Sequence, residues 1–222
     1  APAFSPDGKR IAFVAINGLF SGEIQTVDLS TGAITKVHDT VFGPSEPQWS
    51  ADGKRILFAS LKRYSERFRE GINQFISVPV AGGADVTWTA LPHRGPDTRA
   101  GGGPVCSPDG KRLAFVMNGA LQVIDVTATG DPKGPPRTIG RELAHSPSWS
   151  GDSKHILYLS HDRLRLITAD GGEPSEVPLD LTYTRKLPTA RTIIRVGRLI
   201  DGLTKTPRRD LDIVVQGHRI AA

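Results

Sequence analysis

The six histidines, His38, His93, His145, His155, His161 and His218, and the single cysteine, Cys106, are the side chains best suited to hold a metal or attack a substrate. Their spacing fits neither task. No two histidines sit at the separation that puts two ligands on one helix face, and none is coupled to cysteine in a zinc pattern. His145, His155 and His161 fall in one short region and could approach one another across strands, but a chance grouping is the weightier reading. The Asp-Gly pairs lack the acidic periodicity of a calcium loop. Gly101-Gly102-Gly103-Pro104 is not followed by Gly-Lys-Ser/Thr and a helix, so it is no phosphate loop, and no Gly-X-Ser-X-Gly elbow presents a serine nucleophile. One cysteine cannot close an internal disulfide. The sequence therefore names no catalytic residue, no cofactor-binding residue and no metal ligand.

What remains is recognition. The insertion from Leu61 to Gly71 gathers Arg63, Arg67 and Arg69 with Tyr64 and Phe68, a candidate interaction loop for an anionic ligand or a partner domain. The plainer reading is a solvated loop whose two aromatic side chains are pinned on the sheet beneath.

A repeat must position these residues. Phe4-Ser5-Pro6-Asp7-Gly8-Lys9-Arg10-Ile11-Ala12-Phe13 returns at Trp49 to Phe58, Cys106 to Phe115 and Trp149 to Tyr158, at spacings of 45, 57 and 43 residues. Pro presets the second turn position, Asp suits the third, and Gly takes the left-handed conformation of a bulged hairpin. The restarting strands, such as Ile56-Leu57-Phe58, are almost continuously apolar and are expected to be buried on both faces. A second hairpin follows in each unit, for example Glu23 to Leu29, the turn Ser30-Thr31-Gly32, and Ala33 to Val37. Four strands per unit predict an all-β fold, a β-propeller of four-stranded antiparallel blades that forms part of a larger propeller and carries a short β tail.

The expected division is four blades over 1–184, at about 1–42, 45–92, 103–142 and 146–180, then a linker and tail over 185–222. Ala51 replaces the turn proline in the second copy. Ser153 replaces the turn glycine in the fourth, at an expected cost on the order of 1 kcal/mol, as in a worn last blade. Cys106 fills the slot of Phe4, Trp49 and Trp149, so a buried, inert thiol is expected.

The net charge of +5 comes from 28 basic and 23 acidic residues that read as interspersed. Lys9-Arg10, Lys54-Arg55 and Lys111-Arg112 read as solvated turn residues, which argues against a nucleic-acid partner. No run approaches the roughly 18 apolar residues of a membrane-spanning helix. The sequence shows no signal peptide and opens almost inside the first repeat, as expected of a fragment.

The aromatic-Ser-Pro-Asp-Gly turn followed by Ile-Ala-Phe resembles the TolB-like propeller repeat, a relative of the WD-type repeat, over residues 2 to about 180. The resemblance implies the fold. It also implies a periplasmic or secreted parent, since such propellers occur in periplasmic TolB, in front of serine peptidases and in front of metal-dependent amidohydrolases.

The tail narrows that choice. Gly197-Arg198-Leu199-Ile200-Asp201-Gly202 and Asp212-Ile213-Val214-Val215-Gln216-Gly217-His218-Arg219-Ile220-Ala221 resemble the opening of the amidohydrolase superfamily, a small β-domain ahead of a metal-binding barrel. The resemblance implies a larger hydrolase, inactive in this portion, whose divalent metal, zinc in the usual case, is held by a barrel downstream of these residues. In this reading the propeller docks on the catalytic domain or gates substrate access. The alternative is a TolB-like scaffold of the cell envelope that binds a protein partner and has no enzymatic role. Four blades are expected either to close as a tight ring or to form an open half-ring that pairs with a second copy.

Overall fold

A computed structural model of the chain describes residues 2–67, 70–99 and 101–221, and among them there is no helix. The four repeats become four sheets. Blade 1 holds β1 (Ala3–Phe4), β2 (Arg10–Gly18), β3 (Ser21–Asp28) and β4 (Ile34–Phe42). Blade 2 holds β5 (Gln48–Trp49), β6 (Arg55–Arg63), β7 (Gly71–Pro79) and β8 (Val86–Trp88). Blade 3 holds β9 (Val105–Cys106), β10 (Arg112–Met117), β11 (Ala120–Asp125) and β12 (Arg137–Leu143). Blade 4 holds β13 (His145–Trp149), β14 (His155–Ser160), β15 (Arg163–Thr168) and β16 (Ser175–Glu176). Within each blade consecutive strands are neighbours and antiparallel. The register recurs: Phe4 faces Ile11, Trp49 faces Ile56, Cys106 faces Leu113 and Trp149 faces Ile156.

The turn that copies this register is a small ring of hydrogen bonds. The Ser5 hydroxyl donates to Asp7 Oδ1 at 2.6 Å, the Lys9 amide donates to the same oxygen at 3.1 Å, and the Arg10 amide donates to Ser5 Oγ at 2.9 Å. Ser50, Asp52, Lys54 and Arg55 repeat it, as do Ser107 with Asp109 and Ser150 with Asp152. The left-handed position is real in all four: φ is 68° at Gly8, 67° at Gly53, 70° at Gly110 and 60° at Ser153. At Gly110 space adds a second demand, because a Cβ there would lie 2.1 Å from the Ala51 Cβ of the preceding turn. Ser153 is not idle wear. It is 3% exposed, and its hydroxyl accepts the Asp109 amide of blade 3 at 3.0 Å.

The Lys-Arg pairs divide. Lys9, Lys54 and Lys111 are exposed as expected, but their arginines are half-buried. The Arg10 guanidinium lies 4.8 Å from the Trp49 ring, and that of Arg112 lies 5.2 Å from the Trp149 ring, so each covers the next blade's tryptophan. Arg55, whose next blade offers Cys106, bonds Ser77 Oγ at 2.7 Å and the Ser77 carbonyl at 2.6 Å within its own blade. Arg10 and Arg112 are therefore joint residues and Arg55 braces its own blade, so none of the three is a solvated turn charge.

Three apolar cores join the blades in chain order. One packs Ala12 and Ile24 against Trp49, Ile56 and Phe58. A second packs Leu57 and Phe75 against Leu113 and Phe115, with Cys106 alongside. A third packs Val116, Leu121 and Val123 against Ile156, Tyr158 and Ile167. No core joins blade 4 back to blade 1 among the described residues, so this part of the chain is an open arc. Burial follows. Ile56–Ser60 and Leu113–Met117 are buried on both faces, whereas Ala12 is the buried residue of β2 and burial alternates along β14. The expectation of two buried faces fails for blades 1 and 4 because each has a neighbour on one side.

The chain divides into two compact units, Ala1–Leu179 and Asp180–Ala222. The second is a three-stranded antiparallel sheet of β17 (Arg191–Leu199), β18 (Arg208–Gln216) and β19 (Arg219–Ile220). It holds nine Lys and Arg against four Asp and Glu, so the whole net charge of +5 belongs to residues 180–222 and the blades are balanced. The excess of positive charge is thus confined to this unit, while basic and acidic residues are interspersed in the blades.

Candidate functional site

Strand direction sorts the loops of the arc onto two ends. The Ser-Pro-Asp-Gly turns lie at one end. The hairpins β2–β3, β6–β7, β10–β11 and β14–β15 lie at the other, with the connections that lead from one blade to the next. A cleft of about 780 Å³ opens at this second end, within the ~300–1,000 Å³ range of ligand sites.

Its walls are apolar: Val14 and Ile16 from β2, Phe42 from β4, Leu61 from β6 and Val116 from β10. Phe20 completes them from the β2–β3 turn at φ 65°, the left-handed conformation that the matching hairpin turns also adopt at Asn118 and His161. The Phe20 and Phe42 rings lie 6.3 Å apart, and the Arg99 guanidinium is 5.9 Å from the Phe20 ring. Ile16, which lines the cleft, and Leu19 in the adjoining turn are each 82% exposed.

Polar groups of both signs border this wall, with Glu46 and Asp97 against Arg99, and Asn73, Thr98 and His145 beside them. The backbone that carries them is fastened down. The Asp97 amide donates to the Val116 carbonyl at 2.7 Å and its carboxylate accepts the Gly119 amide at 3.2 Å. Asn73 Nδ2 donates to the Pro96 carbonyl at 2.8 Å, and the Ser45 hydroxyl accepts the Ala59 amide at 2.8 Å.

The loop singled out from sequence stands at the same end, since Leu61 and Asn73 at its base line the cleft. Arg63 donates to Glu66 at 3.1 and 3.4 Å, the Tyr64 amide donates to the Glu70 carbonyl at 2.9 Å, and the Arg67 amide donates to Ser65 Oγ at 3.1 Å. Tyr64 is 63% exposed, so it is not pinned on the blade. Phe68 and Arg69 lie outside the described residues.

The histidine grouping does not form a trio. His145 lines the cleft, while His155 and His161 lie at opposite ends of the β14 segment, six positions and about 20 Å apart along an extended strand. Among the described residues no three His, Cys, Asp or Glu gather to hold a metal. Cys106 sits beside the blade 2–3 core, where burial pushes its thiol up to about 12, far from a reactive thiolate. Asp201 is committed to its own turn. It accepts the Leu203 amide at 2.9 Å and the Thr204 amide at 3.3 Å, which lower its pKa, with Arg208 at 3.5 Å. A second hollow beside blade 4 is lined by Arg141, Arg163 and Arg165, but Glu142 takes Arg165 at 2.8 Å and Glu176 takes Arg163 at 3.0 Å.

No motif announced the cleft. The available signal was Leu19-Phe20, an apolar pair at a hairpin tip where polar residues are usual, together with the long Gly-rich connection over residues 89–104.

With this geometry in place, likeness to known proteins follows the blades. A family model described as TolB beta propeller domain matches residues 1–179. The Tol-Pal system protein TolB of Francisella tularensis subsp. mediasiatica is 33% identical over 66 residues, 30% of this chain and 15% of that protein. The uncharacterized peptidase YuxL of Bacillus subtilis is 34% identical over 56 residues, 25% of this chain and 8% of that protein. The solved TolB of Acinetobacter baumannii superposes with a TM-score of 0.56 at 26% identity, over 77% of this chain and 41% of that one. The matches thus span 15% or less of the two curated relatives.

Proposed function

This chain belongs to the TolB beta propeller family, and on that premise we propose that its blades are a non-catalytic recognition scaffold whose cleft takes an extended polypeptide segment. The observation that carries the reading is the cleft itself. Apolar walls from three blades adjoin polar groups of both signs on a braced backbone. A peptide offers matching chemistry, with apolar side chains for Ile16, Phe20 and Phe42 and amide groups for Asn73, Thr98 and Asp97. A nucleic acid would call for a basic face, and the blades carry no net charge. The likeness to TolB and to a peptidase supports a role beside protein substrates or partners, in the periplasm if the family's habit carries over.

Selection of random dodecapeptides on the immobilised chain tests this. Enriched peptides are expected to bind with micromolar affinity and to lose at least tenfold on Ile16→Asp and on Arg99→Ala. Absence of enrichment, or binding indifferent to both substitutions, overturns the reading.

One observation favours the reading of a propeller attached to an amidohydrolase-like enzyme. Register places Ile194, Val196, Leu211, Ile213, Val215 and Ile220 on one face of the β17–β19 sheet, and Ile194 and Ile220 are 46% and 74% exposed. Such a face suits the first layer of a further domain. A longer version of the chain that hydrolyses amide substrates only with a divalent metal would support it, and one inactive under all metals would contradict it.

A further inference from the structure

We propose that the occupant of the cleft brings a carboxylate to Arg99, so that the bound polypeptide is read by one acidic group set among apolar side chains. This inference rests on the reading of the cleft as a polypeptide site and names the chemistry that fills it.

Arg99 is carried by a loop whose two ends close on a single residue of blade 3. The Asp97 amide donates to the Val116 carbonyl at 2.7 Å, the Val116 amide donates to the Gly102 carbonyl at 2.6 Å, and the Gly102 amide donates to the Arg99 carbonyl at 3.1 Å. The Gly119 amide donates to the Asp97 carboxylate, and Asn73 Nδ2 reaches the Pro96 carbonyl from blade 2. The closure is tight enough that a Cβ at Gly102 would run into the Asp97 carbonyl. The loop therefore holds Thr98 and Arg99 at its tip, and both line the cleft.

The Arg99 guanidinium lies 5.9 Å from the Phe20 ring and pairs with no carboxylate among the described residues. The Thr98 hydroxyl next to it has no hydrogen-bond partner among them either. Arg99 is the only arginine or lysine among the described residues that line the cleft. A guanidinium presents its donors as a planar fork, which a carboxylate meets with two parallel bonds, while the ring of Phe20 takes the flat of the group. Apolar walls exclude competing water and strengthen such a bond. Val14, Ile16, Phe42 and Leu61 supply those walls, so the acidic group is expected beside apolar ones. Glu46 and Asp97 also line the cleft, and a doubly charged phosphate would meet more repulsion there than a single carboxylate does. The carboxylate can come from an Asp or Glu side chain or from a peptide C-terminus, and the experiment separates the two.

The test selects binders to the full chain from four synthetic dodecapeptide libraries, with Asp and Glu allowed or omitted and the C-terminus free or amidated, and measures them by titration calorimetry. The amidated library without Asp and Glu is expected to yield binders about tenfold weaker than the best of the others. Whichever library keeps full affinity with one carboxylate source removed identifies the other as the group read. Arg99→Ala should weaken the acidic peptides about tenfold and leave the uncharged ones unchanged, with Arg99→Lys in between. A change in the uncharged peptides as large as in the acidic ones would show that Arg99 only shapes the wall, and would overturn the proposal. Equal affinities from all four libraries, or a gap that persists in Arg99→Ala, would overturn it too. The polypeptide reading then still stands if those binders are lost on Ile16→Asp. No binder from any library would overturn both.

Discussion

The Ser153 hydroxyl accepts the Asp109 backbone N–H at 3.0 Å, tying the turn of blade 4 to the turn of blade 3. This bond accounts for a serine at φ 60°, where the other copies have glycine. The backbone strain of about 1 kcal/mol and the hydrogen bond of about 1 kcal/mol are of the same size. Ser153→Gly relieves one and loses the other, so its stability should stay within about 0.5 kcal/mol of wild type. Ser153→Ala keeps the strain, loses the bond, and should cost about 1–2 kcal/mol. Urea midpoints distinguish the two, and equal losses would refute the offset.

Trp49 and Trp88 make a second contrast. Trp49 donates its indole N–H to Ala3 and lies under Arg10, whereas Trp88 Nε1 is buried with no acceptor among the described residues. Trp49→Phe should cost about 1–2 kcal/mol in thermal or urea unfolding. Trp88→Phe removes an unsatisfied donor while keeping a ring against Phe75, stacked at 4.0 Å, and should be near neutral. The reverse order would show that the indole bond does not hold the joint.

Acid should unfold the blades through their turns. Asp7 and Asp152 lie below the ordinary 3.8 because the Ser5 and Ser150 hydroxyls donate to them. Asp52 and Asp109 are pushed up by burial, yet the Ser50 and Ser107 hydroxyls with the Lys54 and Lys111 amides bring them below it. Asp28, held by Ser30 and Thr31, falls to about 2. Lowered folded-state values contribute stability above the unfolded value and lose it as pH falls through the folded values. Unfolding free energy should therefore fall off below about pH 4, with the Asp28 share lost by about pH 2. A main loss centred near pH 6 would point to histidines instead.

In the second unit Arg198 faces Arg209 directly across the β17–β18 pair, a like-charge contact that opposes pairing. Arg209→Glu should convert it into an attraction and slow amide exchange in β17 by about two- to fivefold. Unchanged or faster exchange would mean the contact is without consequence.

The four blades were legible because the repeat carries its own turn chemistry: Ser, Asp and Gly at fixed offsets force one hairpin and one register. Arg10 and Arg112 were misread, since the tryptophan each covers lies in the next blade, about 40 residues away. The cleft was illegible for a related reason. Ile16, Phe42, Arg99 and Val116 meet through blade stacking and share no spacing in sequence. Tyr64 and its neighbours read as a recognition loop from composition alone; that loop stands at the cleft end of the arc, but composition does not locate the cleft wall.

Hydrogen–deuterium exchange of the full chain with and without an enriched dodecapeptide tests the central claim most directly. A polypeptide-binding cleft predicts slowed exchange in the β2–β3 turn around Phe20, over residues 42–46 and 97–99, and at Val116. Protection confined to residues 180–221 or to the Ser-Pro-Asp-Gly turns, or no protection at saturating peptide, would contradict it.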